Sequence, residues 1–334
     1  MTARIAILGA GSWGTALAVH CARIGHEVAL WGRDRALVET LAARRENDRY
    51  LPGIELLPSV TPLASLDAAV DGARVVVAAV PSHGMRAVLR DVAPALPDGC
   101  AVVSAAKGLE IDSLDRMSRV ITEEAGPSHP VVVLSGPSFA LEVARGLPTA
   151  VVVASTDAAA AAEVQEVFRG PSFRLYTSDD VAGVELAGAL KNVIAIAAGV
   201  VEGLGLGSNA LAALITRGLV EVSRLACAEG GRRDTLSGLS GLGDLVLTCT
   251  GSLSRNRGVG VELGRGRAID DILAGMRMVA EGVRTTRAAV ALGARHGVEL
   301  PIVAQMAAVL EGRRSPAEAV EALMGRRQRH ERER

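Results

Sequence analysis

The chain has 334 residues, and its 36 lysines and arginines nearly balance its 37 aspartates and glutamates, for a formal net charge of −1. Because this balance leaves no excess positive surface, we expect neither a nucleic acid nor an anionic membrane as a partner. The length exceeds that of one typical core and predicts two domains of about 150 residues each.

Cysteine spacing and hydropathy narrow the class of protein further. The four cysteines lie far apart without a C-x-x-C pair, so we expect no metal site and no disulfide framework. No apolar run of about 18 residues is free of polar interruption. The N-terminus lacks the charged and apolar segments of a cleavable signal. These features predict a cytoplasmic protein without stable membrane insertion.

The first predicted element is a buried strand at residues 4–9 that runs into a glycine-rich turn. Gly9, Gly11 and Gly14 fit the pattern G-x-G-x-x-G, directly before a helix predicted over residues 15–23. In this pattern the first glycine permits a tight turn, the second lets the backbone approach a pyrophosphate, and the third allows close helix packing. Strand, turn and helix together predict a dinucleotide site. The alternative is a glycine-rich turn in an ordinary βα unit.

The second predicted strand, residues 27–31, is followed by Arg33 and Asp34, where a dinucleotide-binding fold selects its cofactor. An acidic residue there accepts hydrogen bonds from a free 2′-hydroxyl, whereas an arginine pairs with a 2′-phosphate. Arg33 comes first, so the sequence favours NADP(H), with NAD(H) possible.

The remaining elements divide the chain into two parts. Further apolar runs predict strands at residues 75–80, 101–105, 131–134 and 150–154. Their alternation with helices implies a parallel sheet covered on both faces. From there on the pattern is helical, at residues 181–201, 210–229, 282–296, 302–310 and 317–324. We therefore predict an α/β Rossmann-like dinucleotide-binding domain at residues 1–182 and an all-α domain at residues 183–334, with a frayed, solvated tail at 326–334.

Lys107 and Lys191 are the only two lysines among the 36 basic residues. Arginine stays protonated, whereas a desolvated lysine can release its proton near neutral pH. Lys191 lies beside Asn192 in a helix that is apolar on nearly every face, which predicts a buried general acid. Lys107 follows a strand end, where α/β sheets bind ligands. The alternatives are chance retention, a Lys191 that reaches the surface along an apolar stem, and a simple turn lysine at 107.

Three polar segments indicate a small anionic substrate. Gly136 and Ser138 follow a strand end, although an ordinary turn is the alternative. Asp244 and Thr248 share one face if their segment is helical; Asp244 as a plain helix N-cap is an equal rival. In the third segment a hydroxyl, a guanidinium and an amide suit bidentate phosphate recognition, and its alternative is a solvated basic loop: Ser254, Arg255 and Asn256.

These motifs together resemble the bacterial-type NAD(P)-dependent sn-glycerol-3-phosphate dehydrogenases. The matching blocks run through most of the chain: GAGSWGTA at 9–16, VPSH at 80–83, AAKGLE at 105–110, SGPSFA at 135–140, ELAGALKNVIAIAAG at 185–199 and GLGDLVLTCTGSLSRNRGVG at 241–260. The resemblance implies reduction of dihydroxyacetone phosphate to glycerol 3-phosphate for phospholipid synthesis. It also implies a Rossmann-like domain followed by a helical domain.

The resemblance further implies individual roles. Lys191 corresponds to the proton-transfer lysine, and Lys107 to a residue that borders both substrate and cofactor. Residues matching substrate ligands are Gly136, Ser138, Asp244, Ser254, Arg255 and Asn256. Residues matching cofactor contacts are Ser12, Trp13, Arg33, Ala140, Arg255, Val279 and Glu281. Relatives often carry histidine at the position of Arg33, and Glu281 near a helix start is also explained by the helix dipole.

The resulting hypothesis is a ternary complex between the two domains. Lys191 passes a proton to the developing alkoxide, Asp244 orients the lysine, and Asn192 and Thr248 complete the network. A second dehydrogenase of the same architecture is one alternative, and a cofactor-sensing module without catalysis is another. The apolar helical domain makes a homodimer the expected assembly.

Overall fold

The computed structural model describes residues 2–276, 278–328 and 330–331. The predicted tail falls partly outside this range, because residues 329 and 332–334 are not among the described ones. At its start, the guanidinium of Arg326 lies 3.2 Å from the carboxylate of Glu299, so the tail is held by an ion pair there.

Ten strands and sixteen α-helices make up most of the described fold, with a short 3-10 helix at Ala93–Ala95 and a π-helical segment at Leu239–Gly243. The strands are β1 Arg4–Leu8, β2 Glu27–Trp31, β3 Glu46–Asn47, β4 Leu51–Glu55, β5 Val60–Leu63, β6 Val75–Ala78, β7 Ala101–Ser104, β8 Val131–Ser135, β9 Thr149–Ala154 and β10 Phe173–Ser178. The helices before residue 180 are α1 Ser12–Arg23, α2 Arg35–Arg44, α3 Leu66–Val70, α4 Ser82–Val92, α5 Met117–Ala125, α6 Ala140–Ala144 and α7 Ala158–Phe168. The later helices are α8 Val181–Gly203, α9 Gly207–Ala228, α10 Arg233–Leu236, α11 Asp244–Thr250, α12 Arg255–Gly264, α13 Ile269–Ala274, α14 Glu281–His296, α15 Pro301–Leu310 and α16 Pro316–Met324.

Eight of the strands form one sheet in the order β10-β9-β8-β7-β6-β1-β2-β5. Alternate residues of β1 enter different cores, with Ile5 and Ile7 on one face and Ala6 and Leu8 on the other. Both faces are therefore buried, as the continuous apolar runs predicted. β3 and β4 form a separate antiparallel pair.

The predicted parallel sheet contains one antiparallel strand pair. β9 runs antiparallel to β8, whereas the other neighbours in the large sheet are parallel. Between β8 and β9 the chain forms only the short helix α6, and a parallel return needs a longer crossover, usually a full helix. α7 provides such a crossover between β9 and β10, and that pair is parallel.

Two strands of the large sheet, β10 and β5, are not continuous apolar runs and were not predicted. β10 alternates buried and exposed side chains because it lies at the edge of the sheet. β5 carries Pro62 and lies at the opposite edge, where a missing backbone N–H is tolerated.

The predicted change from strands to helices lies at residues 179–180, between β10 and α8. The predicted boundary after residue 182 thus falls in the first turn of α8. Asp180 begins this helix by accepting a hydrogen bond from the backbone N–H of Gly183 at 2.9 Å. Val184 then packs against Val133 and Val152 of the sheet, so the two parts meet in an apolar contact.

α8 is the central helix of the second part and is buried on nearly all sides. By length and composition it could cross a membrane, but its most apolar window is fully buried inside the protein. It crosses α12 at backbone contact, because glycines face glycines: a Cβ on Gly260 would lie 2.9 Å from Cα of Gly199, and one on Gly264 would lie 2.9 Å from Cα of Gly203. Contact this close fixes α12, which begins at Arg255, against the helix that carries Lys191.

Candidate active site

Both lysines of the chain bind the same carboxylate. Nζ of Lys191 lies 2.5 Å from Oδ1 of Asp244, and Nζ of Lys107 lies 2.8 Å from Oδ2. The side chain of Asp244 is only 1% exposed. Thr248, one turn along α11, has its Oγ1 2.7 Å from Nζ of Lys191. Asp244 therefore holds two ammonium groups in one buried site.

This arrangement decides two alternatives that the sequence left open. Lys191 is 7% exposed, so its ammonium stays inside the protein instead of reaching the surface. Gly243, not Asp244, is the N-cap of α11, and the Asp244 carboxylate is occupied by the lysines. Asp244 is thus an ion-pair partner, not a helix cap.

The electrostatics of the site favour a titrating lysine. Burial lowers the pKa of Lys191 from its ordinary value of 10.5 to about 8; the Asp244 carboxylate acts in the opposite direction, and the charge of Lys107 lowers the pKa further. An ammonium with this pKa can donate a proton near neutral pH and recover it afterwards.

Lys107 and its neighbours lie at the carboxyl ends of two adjacent strands. The ammonium of Lys107 donates to the carbonyl of Gly136 at 2.8 Å and lies 3.4 Å from Oγ of Ser138. Gly136 has a φ of +132°, and a Cβ there would meet Val151 at 3.0 Å, so the turn requires glycine. Lys107, Gly136 and Ser138 therefore form one wall of the site.

Two asparagines link the elements around the lysines. Nδ2 of Asn192 donates to the carbonyl of Lys107 at 3.1 Å, and its Oδ1 accepts from Nδ2 of Asn256 at 2.9 Å. Oδ1 of Asn256 in turn accepts from the backbone N–H of Gly282 at 3.0 Å. Both ends of the Asn256 amide are thus engaged within the protein, joining α12 to α8 and α14.

The other two residues of the predicted phosphate segment lie at the start of α12. Ser254 is its N-cap and accepts a hydrogen bond from the backbone N–H of Arg257 at 3.2 Å. The exposed Arg255 donates to the carbonyl of Val279 at 2.9 Å. Its guanidinium therefore reaches toward α14 and retains further N–H donors for an anion.

The glycine motif shapes an open turn above the sheet. Gly9 has a φ of +125°, and a Cβ on Gly14 would lie 1.9 Å from the carbonyl oxygen of Gly9, so neither position admits a side chain. No atom lies within 4 Å of a Cβ built on Gly11, and α1 begins there without a side-chain cap. The turn thus presents free backbone N–H groups to open space, which fits a dinucleotide pyrophosphate.

The predicted cofactor contacts differ in how far they are engaged within the protein. Oγ of Ser12 donates to the carbonyl of Tyr50 at 2.7 Å. Trp13 has a buried Nε1 without a hydrogen-bond partner, and the partly buried Ala140 packs against the same core cluster as Trp13. Val279 is 37% exposed.

Arg33 and Asp34 differ in their availability to a ligand. Asp34 caps α2 by accepting from the backbone N–H of Ala36 at 3.1 Å, and its other carboxylate oxygen lies 3.1 Å from the guanidinium of Arg49. Arg33 is exposed. Both side chains are exposed, but the Asp34 carboxylate already makes hydrogen bonds and an ion pair within the protein.

Glu281, which only the resemblance assigned to the site, lies near other residues that no prediction assigned a role. Glu281 accepts from the backbone N–H of Ser82 at 3.1 Å and from its hydroxyl at 2.8 Å, which joins the starts of α14 and α4. His83 and Arg284 line a cleft of about 290 Å³ beside this contact. Only the VPSH block that carries the resemblance included Ser82 and His83. Among the described residues, no group of three His, Cys, Asp or Glu side chains could hold a metal ion.

Comparison with known proteins gives consistent matches along the chain. Residues 4–161 match the N-terminal domain of NAD-dependent glycerol-3-phosphate dehydrogenase, and residues 180–321 match its C-terminal domain. The chain is 55% identical to glycerol-3-phosphate dehydrogenase [NAD(P)+] of Acidobacterium capsulatum, over 98% of this chain and 99% of that protein. It is 54% identical to the enzyme of the same name from Koribacter versatilis, over 97% of each. The crystal structure of glycerol-3-phosphate dehydrogenase from Coxiella burnetii superposes with a TM-score of 0.94 at 41% identity, over 97% of this chain and 99% of that one.

Proposed function

The chain belongs to the NAD-dependent glycerol-3-phosphate dehydrogenase family, and we propose that it reduces dihydroxyacetone phosphate reversibly to sn-glycerol 3-phosphate with NAD(P)H. The observation that carries this proposal is the buried pair of lysines on Asp244, beside the strand ends that follow the open glycine turn. In the cell this reaction supplies the backbone for glycerophospholipid synthesis, in the cytoplasm.

A nicotinamide cofactor held at the glycine turn would supply the hydride for the ketone carbon. The ketone oxygen then needs one proton, and Nζ of Lys191 donates it, since its lowered pKa leaves the ammonium acidic enough near neutrality. Asp244 and Thr248 hold this ammonium in place. In the oxidation direction the neutral lysine takes the proton from the alcohol.

The remaining residues bind and orient the reactants. Lys107 adds a second positive charge beside the reacting oxygen, and Gly136 and Ser138 form the wall next to it. The free N–H groups of Arg255 bind the substrate phosphate at the start of α12. Asn256 acts there by holding α12 against α8, and Ser254 by capping α12.

Replacement of Lys191 by arginine tests this function directly. Arginine keeps the positive charge but does not release its proton near neutral pH. We expect Lys191→Arg to lose more than about nine-tenths of the NADPH-dependent reduction of dihydroxyacetone phosphate. NADPH binding, measured by its fluorescence, should persist. A variant that keeps more than a tenth of the wild-type rate contradicts the assignment.

A panel of phosphorylated and carboxylated ketones with NADPH separates the proposal from its alternatives. A different dehydrogenase would prefer another ketone, and a cofactor-sensing module would oxidise NADPH with none of them. We expect dihydroxyacetone phosphate to give the highest kcat/KM. The pairing of a titrating lysine with an arginine that retains N–H donors favours this substrate, because it carries both a ketone and a phosphate.

NADP(H) is the favoured cofactor in this proposal. Asp34 is occupied as a helix cap and by Arg49, whereas Arg33 is exposed and can pair with a 2′-phosphate. We expect Arg33→Ala to weaken NADPH binding by about tenfold and NADH binding by much less. Equal use of both cofactors by the wild type and the variant would contradict this preference.

A homodimer is the proposed assembly. The first half of α9 supports it, because Leu211, Leu214 and Ile215 remain partly exposed there, next to Leu206. Light scattering after gel filtration should give twice the 34.4 kDa of one chain. A monomer mass would refute this part of the proposal.

A further inference from the structure

The segment that carries Lys107 is a loop closed on itself. Residues 105–116, hereafter the Lys107 loop, connect β7 to α5, and Leu109 pairs with Arg116 in a short antiparallel bridge. Leu109 is 2% exposed and packs in the core of the helical part. The loop therefore follows a strand of the sheet in the chain but packs against the helices.

One face of α8 contacts this loop along its length. Glu185, Gly188 and Asn192 lie three and four residues apart and so share a face of the helix. A Cβ on Gly188 would lie 3.5 Å from Cγ of Lys107, so the lysine stem passes over this glycine. Asn192 donates to the carbonyl of Lys107 at 3.1 Å.

Glu185 holds the far end of the same loop. Its Oε2 accepts from Nη1 of Arg116 at 2.6 Å and from the hydroxyl of Ser118 at 2.5 Å, and its Oε1 accepts from the backbone N–H of Ser118 at 2.7 Å. The side chains of Glu185 and Arg116 are 5% and 12% exposed. A buried pair of this kind is costly to desolvate, and apolar residues could often replace it without loss of stability.

We propose that Glu185 is a positioning residue for the reaction: with Arg116 and Ser118 it holds the Lys107 loop on α8, at the spacing that lets Lys107 and Lys191 share Asp244. Two directional contacts, Asn192 at one end of the loop and Glu185 at the other, fix the loop along the helix. Apolar packing alone would leave it free to slide. Glu185 itself touches neither lysine. The inference rests on the proposed function, because it assigns a purpose to the paired lysines.

Glu185→Gln tests the inference, with Glu221→Gln as the matched control. Glu221 is also a buried carboxylate that accepts backbone N–H groups at a helix start, from Ile302 at 2.8 Å and Val303 at 3.3 Å. It lies on α9, and its contacts are on α15, not on the Lys107 loop. A general loss of stability should therefore appear in both variants, and an effect on the lysines only in Glu185→Gln.

Because the chain has only two lysines, their titration can be followed by NMR after labelling with ¹³Cε-lysine. The charged groups around Lys191 are Asp244 and Lys107, with the Cys249 thiol nearby. If the loop recedes, the charge of Lys107 moves away and water enters, and both changes raise the pKa of Lys191. We expect a rise of about half a unit or more in Glu185→Gln, with kcat lowered about tenfold and KM for NADPH changed less than about twofold.

Each outcome decides between the two proposals. If Lys191 titrates alike in Glu185→Gln, in Glu221→Gln and in the wild type, the positioning role is wrong, whatever the activity. If the wild type fails to reduce dihydroxyacetone phosphate, the proposed function is wrong, and the titration still tests the spacing of the lysines. Should Glu185→Gln not fold, Ser118→Ala removes only the two hydrogen bonds of the hydroxyl, one donated to Glu185 and one accepted from Arg116; a smaller shift in the same direction supports the role, and an unchanged titration overturns it.

Discussion

At the scale of residues, the site is defined by one carboxylate between two ammonium groups. Asp244 neutralises only one of the two charges, so the buried cluster carries a net positive charge when both lysines are protonated. Burial is the main cause of the lowered pKa of Lys191, and the charge of Lys107 lowers it further. The net positive charge suits a site that receives a phosphate ester. The second buried positive charge therefore favours catalysis but lowers the stability of the fold.

The pH dependence of turnover follows from the pKa of Lys191, about 8. Reduction needs the protonated lysine, so its kcat should fall as pH rises through about 8, whereas oxidation should gain rate over the same range. Asp244→Asn removes the group that raises this pKa. It should therefore shift the pH profiles of reduction and of oxidation to lower pH. Steady-state rates from pH 6 to 10 check this expectation, and pH profiles that are unchanged in Asp244→Asn would refute the link to Lys191.

The free energy of unfolding should change in opposite directions when Lys191 is removed and when Asp244 is removed. Lys191→Met leaves Lys107 and Asp244 as a balanced pair, so we expect the free energy of unfolding at pH 7 to stay level or rise by about 1–2 kcal/mol. Asp244→Asn leaves two buried cations without a counter-charge and should cost about 3 kcal/mol or more.

The stability of the wild type should approach that of Lys191→Met as pH rises. Between pH 8 and 10.5 the unfolded chain binds more protons at this lysine than the folded protein does, so the wild type gains relative stability there. Urea denaturation at pH 7 and pH 10 measures the difference. A lysine variant that is strongly destabilised at pH 7 would contradict this account.

At the scale of elements, α8 and α12 bring the lysine and the phosphate-binding end together. Their glycine contacts allow an approach that no side chain would permit, and Ser254 caps the start of α12 at Arg255. The same device appears in α1, where Gly14 lies against Gly9. In both places glycine is required for close approach of the backbone, not for flexibility.

Two alanine substitutions in α12 separate packing from helix propensity. A Cβ on Gly260 would lie 1.9 Å from the carbonyl oxygen of Ile196, so Gly260→Ala should force the helices apart and cost about 3 kcal/mol or more. A Cβ on Gly258 meets no atom within 4 Å, so Gly258→Ala should be neutral or stabilise by up to about 1 kcal/mol. Thermal unfolding of both variants makes the comparison, and equal effects would refute the role of the crossing.

At the scale of the whole molecule, the two parts share their interior. Leu109 from the sheet part lies in the helical core, and Glu185 from the helical part caps the start of α5. Glu281 does the same at the start of α4 through Ser82. Each carboxylate thus meets the N–H groups and the positive dipole end of a helix in the other part.

This sharing predicts that the helical part does not fold stably alone. A fragment of residues 180–334 loses Leu109 from its core and exposes to water the face of α8 that the Lys107 loop covers, which together should cost about 5 kcal/mol or more. We expect a broad or absent thermal transition by circular dichroism. A cooperative transition at the temperature of the full chain would show that the parts are independent. Co-expression with residues 1–179 serves as the control.

The sequence by itself determined the features that depend on neighbours along the chain. The glycine turn, the strands with both faces buried, and the long helices from residue 181 are all visible as local periodicity, since side-chain direction repeats with the period of each element. The apolar surroundings of Lys191 likewise predicted its burial. The spacing of Asp244 and Thr248 predicted their shared face, once the segment is helical.

Only the tertiary structure decided which distant groups meet. The antiparallel course of β9, the occupation of Asp34 by its own helix and the buried bridge made by Asn256 depend on contacts between segments far apart in the chain. The same holds for the carboxylate shared by Lys107 and Lys191, whose positions along the chain are 84 residues apart. Local patterns specify which face of an element is buried, but the partner of a buried charge is set by packing of whole elements, which no local period encodes.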